Sequence, residues 1–268
     1  MKILILYSGG LDSFVMKKLA ETKYPDAEIE YVWYDIGQGY NYKEQRALPG
    51  FVDKKKVDWL TPNQKLVAKS DSKSGSIIIP GRNAVLAILG ASQYLPDEIW
   101  MGALLGETHK GSTDKNYVFL KHMNEMLAYV YSPFKKNITL KFPLADEGFG
   151  KFESVQWAYK HGATIEELIG TSSCLSSEEG NCGHCVVCCR RWGIFFQLGF
   201  TEEYNIHPMK VKSNLEMVIE MLKGTHYDEY RKREILPAVK NYFGIEDEDD
   251  LYACITKEIE EVEEVEKC

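Results

Sequence analysis

Long hydrophobic runs are missing from this sequence, since no apolar run exceeds six residues in a chain of 268. A helix that crosses a bilayer needs roughly 20 predominantly apolar residues, so a membrane-spanning helix is excluded. The apolar run at residues 2–7 is too short for the hydrophobic part of a secretion leader. We therefore expect a cytoplasmic protein that has no membrane partner.

An excess of basic residues is also lacking. The chain has 40 acidic and 32 basic residues, which gives a formal net charge of −8. Broad binding to nucleic acid requires a basic face, so we expect no direct nucleic-acid partner. A local arrangement of backbone amides and a metal ion can still attract an anionic ligand against the overall charge.

Cysteine, in contrast, is crowded into one short segment. Cys174, Cys182, Cys185 and Cys188 follow the spacing C-x7-C-x2-C-x2-C. Two cysteines at the C-x2-C interval can bind one tetrahedral Zn²⁺, and Gly183 permits the tight turn between them. Four thiolates leave no coordination position for water, so the predicted zinc site is structural. A redox C-x-x-C pair and unconnected buried cysteines are the alternative interpretations.

The remaining cysteines and one histidine have simpler interpretations. Cys189 is an additional cysteine that could compete for the metal, but Cys188 keeps the C-x2-C interval. His184 could replace a ligand, although we expect it to face solvent. Cys254 is predicted to be a core thiol, and Cys268 a free thiol.

Strands and helices alternate through the first half of the chain. Strands are predicted at residues 2–7, 29–34, 76–79 and 98–102, and helices at residues 13–20 and 83–94. This alternation is typical of βαβ units with right-handed crossovers, and it predicts an α/β fold with a doubly wound parallel sheet. From residue 148 the pattern becomes helical, at residues 152–161, 164–170 and 214–267. We therefore predict two domains, at residues 1–147 and 148–268.

The first predicted strand ends in SGGLDS, residues 8–13, where a helix begins. Parallel sheets bind ligands at the carboxyl ends of their strands. Successive amides at a helix start, with two glycines that allow close approach, favour a phosphate group. Asp12 can hold a Mg²⁺ ion, and Ser8 and Ser13 can donate from their hydroxyls. The alternative is a turn whose Ser or Asp merely caps the helix.

SGGLDS resembles the loop of the PP-loop ATP pyrophosphatase superfamily. Together with the cysteine segment, it makes the chain similar to the 7-cyano-7-deazaguanine synthase (QueC) family over most of residues 1–192. Four further family motifs occur in the same order along the chain. They are matched by Asp35, Gly37 and Gln38; by Pro80, Gly81, Arg82 and Asn83; by Gly102 and Ala103; and by Pro143 and Lys151. The cysteine motif is matched by Ser173, Cys174, Cys182, Gly183, Cys185, Cys188 and Arg191.

The resemblance implies an ATP-dependent carbon–nitrogen ligase. Members of this family activate the carboxylate of 7-carboxy-7-deazaguanine with ATP and release pyrophosphate. Ammonia displaces AMP to give an amide, and a second ATP drives conversion of the amide to the nitrile. The resemblance also implies the adenine nucleotide alpha hydrolase-like form of the α/β fold, a helical C-terminal part that binds zinc, and a homodimer with Zn²⁺ near each active site.

Family roles are carried over by position. The loop residues Ser8, Gly9, Gly10, Leu11, Asp12 and Ser13 are expected to hold the phosphates of ATP with Mg²⁺. Arg82, Asn83 and Gly102 are expected at the nucleotide, and Tyr34 and Gln38 at the adenine. Lys151 is expected to stabilise charge on the leaving pyrophosphate, so the candidate catalytic residues are Asp12, Ser13, Arg82 and Lys151. The alternatives are an ion pair for Arg82, an exposed helix start for Lys151, and packing for Tyr34 and Gln38.

One segment departs from the family pattern. After the strand that ends in Gly-Ala, the family carries a Y-P-D-C-R segment, and this chain has GETHKGSTDK instead. Asp114 stands where the Asp of that motif falls. The lost Arg is a natural partner for a carboxylate, and Lys110 or Lys115 could supply the charge. His109 could hydrogen-bond a ring or be solvated, so the candidate substrate residues are His109, Asp114 and Lys115.

Other functions remain open at this point. A divergent relative could activate a different carboxylate, stop at the amide, or join a deazaguanine to another molecule. A tRNA thiolase needs a basic face and a catalytic cysteine pair outside the zinc cluster, and this sequence offers neither. A non-enzymatic zinc module that binds nucleotide would not turn over ATP.

Overall fold

The computed structural model describes residues 1–37, 41–57, 69–70, 77–108, 113–176, 178–224 and 227–266. Within these ranges, no helix combines the length and the apolar composition that a membrane crossing requires. The chain forms two compact units, Met1–Ser172 and Ser173–Cys268, called the N-terminal and the C-terminal unit below. Their division lies beyond the boundary at 147/148 that the sequence suggested.

A five-stranded parallel sheet organises the N-terminal unit. Its strands are β1 (Lys2–Leu6), β2 (Glu28–Asp35), β3 (Asp53–Lys56), β6 (Glu98–Trp100) and β7 (Thr139–Lys141). Their order across the sheet is β3-β2-β1-β6-β7. The chain adds β2 and β3 on one side of β1 and later adds β6 and β7 on the other side, so the direction of winding reverses beside β1. In such sheets ligands bind at this reversal, outside the carboxyl ends of the strands.

The strand predicted at residues 76–79 lies outside this sheet. Ile77–Ile78 (β5) pairs antiparallel with Lys69–Ser70 (β4) in a separate two-stranded sheet. The α/β class and the parallel sheet are confirmed, because the other three predicted strands occupy its centre and one neighbouring position on each side.

Helices flank the sheet of the N-terminal unit. They are α1 (Leu11–Lys23), α2 (Asn41–Ala47), α3 (Arg82–Tyr94), α4 (Leu105–Thr108), α5 (Tyr117–Tyr131), α6 (Pro143–Asp146), α7 (Lys151–Lys160) and α8 (Ile165–Ile169), with a 3₁₀ turn at Ser132–Phe134. Helix α7 packs against α1, which is why it belongs to this unit. Thr164 and Glu167 form a reciprocal capping box at the start of α8, as their spacing predicts.

The C-terminal unit is helical. It contains α9 (Val186–Gln197), a 3₁₀ turn at Pro208–Lys210, α10 (Lys212–Leu222), α11 (Glu229–Phe243) and α12 (Glu248–Glu266). Its core consists of fully buried apolar side chains, among them Leu215, Val218, Ile235, Val239, Leu251 and Ile255. This unit therefore has an apolar interior of its own, in addition to the cysteine segment.

Candidate functional site

A cavity of about 210 Å³ opens where β1, β2 and β6 end. This is the reversal point of the sheet, the place where open α/β sheets bind ligands. Its lining comes from the strand ends and from the first residues of α1 and α3. The polar side chains among the lining residues are Tyr7, Ser8, Asp12, Ser13, Trp33, Tyr34, Glu44, Arg82, Asn83 and Lys115.

Two glycines shape the loop between β1 and α1. Gly9 has a φ of +76°, and a Cβ there would lie 3.2 Å from the carbonyl oxygen of Glu44. A Cβ on Gly10 would lie 3.1 Å from the carbonyl oxygen of Ser172. The backbone N–H of Ser172 donates to the carbonyl of Gly9 at 2.8 Å. Neighbouring backbone therefore approaches both glycines so closely that a side chain would crowd the loop.

Helix α1 begins in this loop, with Gly10 as its N-cap. Among the described residues, no side chain caps this helix. The Ser13 hydroxyl donates to the carbonyl of Gly10 at 2.9 Å, so that its oxygen remains able to accept a hydrogen bond. The free backbone N–H groups of a helix start and the helix dipole together favour an anion. The loop therefore has the chemistry of a phosphate site.

Asp12 and Lys151 form an ion pair beside this helix start. The Nζ of Lys151 lies 3.1 Å from Oδ2 of Asp12. The side chain of Lys151 is 11% exposed and that of Asp12 is 25% exposed. The other carboxylate oxygen, Oδ1, is buried and has no hydrogen-bond partner among the described residues. An orphaned carboxylate oxygen is the kind of hard ligand that Mg²⁺ accepts. The residues present therefore fit a divalent cation at Asp12.

The start of α3 brings the segment after residue 112 to the cavity. The Arg82 Nε donates to Oδ1 of Asn83 at 3.2 Å, and Nδ2 of Asn83 donates to the backbone carbonyl of Asp114 at 3.2 Å. Lys115 then lines the cavity, with its Nζ 3.3 Å from Oε2 of Glu107. The cavity lining thus includes two basic residues, Arg82 and Lys115.

Most of the predicted ligand-binding residues meet at this cavity. The lining includes Ser8, Asp12, Ser13, Tyr34, Arg82, Asn83, Gly102 and Lys115. The cavity lining does not include Gly9, Gly10, Leu11, Asp114 or Lys151. Leu11 is buried, and Lys151 contacts the lining residue Asp12 through their ion pair. Gln38, His109 and Lys110 lie outside the described residues.

The contact between Trp33 and Glu44 was not predicted. The indole Nε1 of Trp33 donates to Oε2 of Glu44 at 2.8 Å, and both side chains line the cavity. Tyr7 also lines it, and burial raises the pKa of its phenol to about 12. Trp33 lies near the end of a recognisable strand, which was an available signal for the cavity. Nothing in the local sequence indicates that Glu44 approaches the same strand end.

Four cysteine sulfur atoms in the C-terminal unit form a compact cluster. The Sγ atoms of Cys174, Cys182, Cys185 and Cys188 all lie within 4.8 Å of one another, and those of Cys182 and Cys188 are 3.9 Å apart. A tetrahedral ion with Zn–S bonds of about 2.3 Å holds its four sulfur atoms roughly 3.8 Å apart. The cluster therefore fits a single metal ion.

The backbone around the cluster supports thiolate ligands. The N–H of Cys185 donates to Sγ of Cys182, and the N–H of Cys188 donates to Sγ of Cys185, each at 3.4 Å. Cys185 is also the N-cap of α9, where the helix dipole favours negative charge. Hydrogen bonds from Cys185 and Cys188 lower the pKa of the Cys174 thiol, whereas burial raises the pKa of Cys182 to about 12.

The other cysteines and His184 lie outside the cluster. Cys189 is fully buried in the apolar core, and burial raises its pKa to about 12. His184 is exposed, as predicted, and Cys254 is half-buried. Cys268 lies outside the described residues. The cluster thus contains Cys188 and not Cys189, in agreement with the C-x2-C interval.

The sequence was compared with known proteins. The family model described as "Queuosine biosynthesis protein QueC" matches residues 2–199, and a search of curated protein sequences found no match. One similar solved structure is the U34-tRNA thiolase NcsA from Methanococcus maripaludis with its [4Fe-4S] cluster. It shares 18% identity over 77% of this chain and 84% of that chain, with a TM-score of 0.36, a similarity that carries no argument about function. Because the family model matches well over half of the sequence, the chain belongs to the QueC family of PP-loop ATP-using enzymes.

Proposed function

We propose that this protein is an ATP-dependent ligase that makes 7-cyano-7-deazaguanine from 7-carboxy-7-deazaguanine and ammonia. The observation that carries the proposal is the cavity at the strand ends. It combines a glycine-shaped helix start suited to phosphates, the cation-binding carboxylate of Asp12, and the cations of Arg82 and Lys115. Adenylation brings two anions together, the substrate carboxylate and ATP, and therefore requires groups of this kind.

In the first proposed step, a carboxylate oxygen of the substrate attacks the α-phosphorus of ATP. The bond from that phosphorus to the bridging oxygen breaks, and pyrophosphate leaves. The amides at the start of α1 and the hydroxyls of Ser8 and Ser13 hold the phosphates, while Lys151 neutralises charge on the leaving group. Asp12 would hold a Mg²⁺ ion, which when bound would supply additional charge neutralisation for the phosphates.

The next steps form the carbon–nitrogen bond. Ammonia attacks the acyl carbon, the bond to AMP breaks, and loss of a proton gives the primary amide. The amide oxygen then attacks the α-phosphorus of a second ATP, with release of pyrophosphate. Loss of that oxygen with AMP, and of two protons from nitrogen, gives the nitrile. Each step reuses the same phosphate-binding groups, so one cavity serves both activations.

We assign recognition of the substrate carboxylate to Lys115. This residue would replace the charge of the Arg in the Y-P-D-C-R segment of the family, and it is one of the residues that line the cavity. Asn83 fixes the backbone at Asp114 and so limits where Lys115 can reach. Asp114 and His109 remain our candidates for contact with the deazapurine ring.

We assign the cysteine cluster to a structural Zn²⁺. One zinc ion binds all four thiolates, whereas in a [4Fe–4S] cluster each thiolate binds a different iron atom and the sulfur atoms therefore stand farther apart. Sulfur atoms within 4.8 Å of one another favour the single ion. We further propose that the enzyme acts as a cytoplasmic homodimer on small molecules.

A second candidate function follows from the altered segment after residue 105. Without the family's Tyr-Pro and Cys-Arg, the cavity could accept a different carboxylate, stop at the amide, or join a deazaguanine to another molecule. The position of Lys115 supports recognition of an acid in each case. ATP use is therefore common to both candidates, and they differ in the acid and the nucleophile.

The two candidates are separated by one assay. Purified, zinc-loaded protein is incubated with Mg-ATP, ammonium and 7-carboxy-7-deazaguanine, and AMP, pyrophosphate and deazapurine mass are followed together. Nitrile with two AMP per product supports the synthase, and amide alone supports the shortened reaction. Formation of AMP only with another carboxylate contradicts the synthase. Asp12→Asn should abolish AMP formation, whereas the matched change Asp26→Asn at an exposed turn should leave it unchanged.

A further inference from the structure

The ion pair between Asp12 and Lys151 joins the starts of two helices. Asp12 lies in the first turn of α1, and Lys151 is the first residue of α7. Their side chains meet at 3.1 Å, and both are largely shielded from solvent. A shielded ion pair is screened much less by salt than a surface pair, so dissolved salt weakens this contact only slightly.

The two charges differ in how well they suit their helices. A carboxylate is stabilised at a helix N-terminus and a cation is destabilised there. Asp12 therefore suits the start of α1, whereas Lys151 is unfavourably placed at the start of α7. Among the described residues no side chain caps α7, whose N-cap is Gly150. The contact with Asp12 is the compensating interaction for Lys151, and a stronger anion in the same place would compete for it.

The carboxylate of Asp12 is only half satisfied. Oδ2 accepts from Lys151, while Oδ1 is buried without a hydrogen-bond partner in the part of the chain that the structure describes. Gly102 approaches the base of this side chain, since a Cβ there would be 3.3 Å from Cβ of Asp12. Because Oδ2 is paired with Lys151, a cation that binds Oδ1 shares the carboxylate with an ammonium group.

We propose that Lys151 keeps divalent cations off Asp12 until a nucleotide arrives. The inference rests on the proposed use of ATP at this loop. In the nucleotide-free protein, the ammonium group repels a second cation and occupies one of the two carboxylate oxygens. The triphosphate offers Lys151 a more highly charged partner, and transfer of Lys151 to the phosphates exposes Asp12 to the metal. Occupancy of Asp12 by the metal consequently depends on bound nucleotide, and Lys151 sets this order of binding.

The test measures Mn²⁺ binding to the full, zinc-loaded chain without nucleotide, by the loss of the free Mn²⁺ signal in electron paramagnetic resonance. Lys151→Met should bind Mn²⁺ about 10-fold more tightly than the wild type, because the substitution removes the repulsion between a nearby positive charge and the cation. Lys151→Arg keeps the cation and should bind Mn²⁺ as weakly as the wild type. Asp12→Asn combined with Lys151→Met should lose the gain.

A matched control comes from a second lysine–carboxylate pair in the same unit. Lys141 pairs with Glu98, but Glu98 also accepts from Nε1 of Trp100 at 2.8 Å. Lys141→Met should therefore leave Mn²⁺ binding at the wild-type level. Equal affinities of the wild type and Lys151→Met would overturn the proposal, as would an equal gain in Lys141→Met.

Failure of this inference is distinguishable from failure of the proposed function. If the wild type converts ATP to AMP and pyrophosphate but Lys151→Met gains no Mn²⁺ affinity, the inference about Lys151 fails and the enzyme assignment stands. If no carboxylate elicits AMP formation by the wild type, the proposed function fails whatever the Mn²⁺ result.

Discussion

Gly183 and Gly244 both adopt left-handed backbone, but they differ in what surrounds them. At Gly183 φ is +80°, and a Cβ would lie 1.7 Å from the carbonyl oxygen of Ile206. At Gly244 φ is +68°, and no atom lies within 4 Å of the corresponding position. Asn214 also donates to the carbonyl of Gly183 at 2.9 Å. A side chain at Gly183 would therefore be disfavoured by both the backbone conformation and a steric clash, whereas a side chain at Gly244 would be disfavoured by the backbone conformation alone.

We accordingly expect Gly183→Ala to be far more damaging than Gly244→Ala. The conformational penalty is about 1 kcal/mol for a non-glycine residue, and the steric conflict at Gly183 adds about 1–3 kcal/mol. Because Gly183 separates Cys182 from Cys185, Gly183→Ala should also reduce the metal content. Thermal unfolding and bound metal per chain measure both effects. Equal losses of stability in the two variants would contradict the steric argument.

His207 makes the C-terminal unit sensitive to pH. Its Nδ1 accepts from the N–H of Met209 at 3.2 Å, and its ring stacks on Tyr242 with centroids 4.9 Å apart. Burial, followed by the nearby Lys210, lowers the pKa of His207 below its usual value of about 6.5. The unfolded chain then binds the proton more tightly than the folded one. The contribution of His207 is therefore fully present above pH 6.5 and is lost as pH falls through the lowered pKa.

The prediction is tested by measuring Tm from pH 7.5 to pH 5 for the wild type and His207→Asn. Loss of metal from the cysteines at low pH affects both proteins, so the difference between them isolates the histidine. The wild type should lose its advantage as pH falls. A difference in Tm that is constant with pH would exclude the titration of His207 as its cause.

At the scale of elements, Gln197 compensates for a proline inside α11. Pro237 lacks the N–H that the carbonyl of Arg233 would otherwise accept within the helix. The side-chain amide of Gln197, at the end of α9, donates to the carbonyls of Arg233 at 3.2 Å and Glu234 at 3.0 Å. Close packing makes this possible, since a Cβ on Gly193 would lie 2.4 Å from the carbonyl of Glu234.

We expect Gln197→Leu to destabilise the protein by about 1–2 kcal/mol, because it removes the amide that donates to the carbonyls of Arg233 and Glu234. In a Pro237→Ala background the helix supplies its own N–H, so the same substitution should cost measurably less. A double-mutant cycle based on denaturant unfolding gives the coupling directly. Additive effects would mean that Gln197 does not act through the proline.

An element can be predicted from the sequence when its own residues determine its conformation, and it cannot when pairing with a distant segment does. The strand at β1 was recognisable because Ile3, Leu4 and Ile5 form a continuous apolar run that is completely buried. In contrast, β3 reads DKKK and forms an edge of the sheet. Its side chains are mostly exposed, so its strand conformation depends on pairing with β2 rather than on its own pattern.

The candidate site divides in the same way. Asp12 and the cysteines could be predicted from the sequence because their proposed chemistry depends on neighbours a few residues away. Glu44 was missed because its approach to Trp33 is a tertiary contact between α2 and β2. Lys151 was found by resemblance to the family, but its contact with Asp12 spans 139 positions and became evident only from the fold. Site residues that are close together in the sequence can thus be predicted from it, whereas contacts between distant segments cannot.

For the whole molecule, the important feature is that each unit has its own stabilising centre. The N-terminal unit is organised around a buried sheet, and the C-terminal unit around its helical core and the cysteine cluster. The family match ends at residue 199, but the apolar core of the C-terminal unit continues through Leu215, Ile235 and Ile255. The helices beyond the family match therefore supply much of that core.

This organisation predicts that loss of metal affects one unit selectively. Calorimetry of the full chain should resolve two transitions, and a chelator should lower only the one that belongs to the C-terminal unit. Each 1 kcal/mol of lost stabilisation lowers Tm by about 4–8 °C in a unit of this size, and a structural Zn²⁺ supplies several times that amount. Cys182→Ser should mimic the chelator, whereas Cys254→Ser, which changes a half-buried cysteine outside the cluster, should not. If both transitions fell together, the metal would be stabilising the whole chain rather than the C-terminal unit.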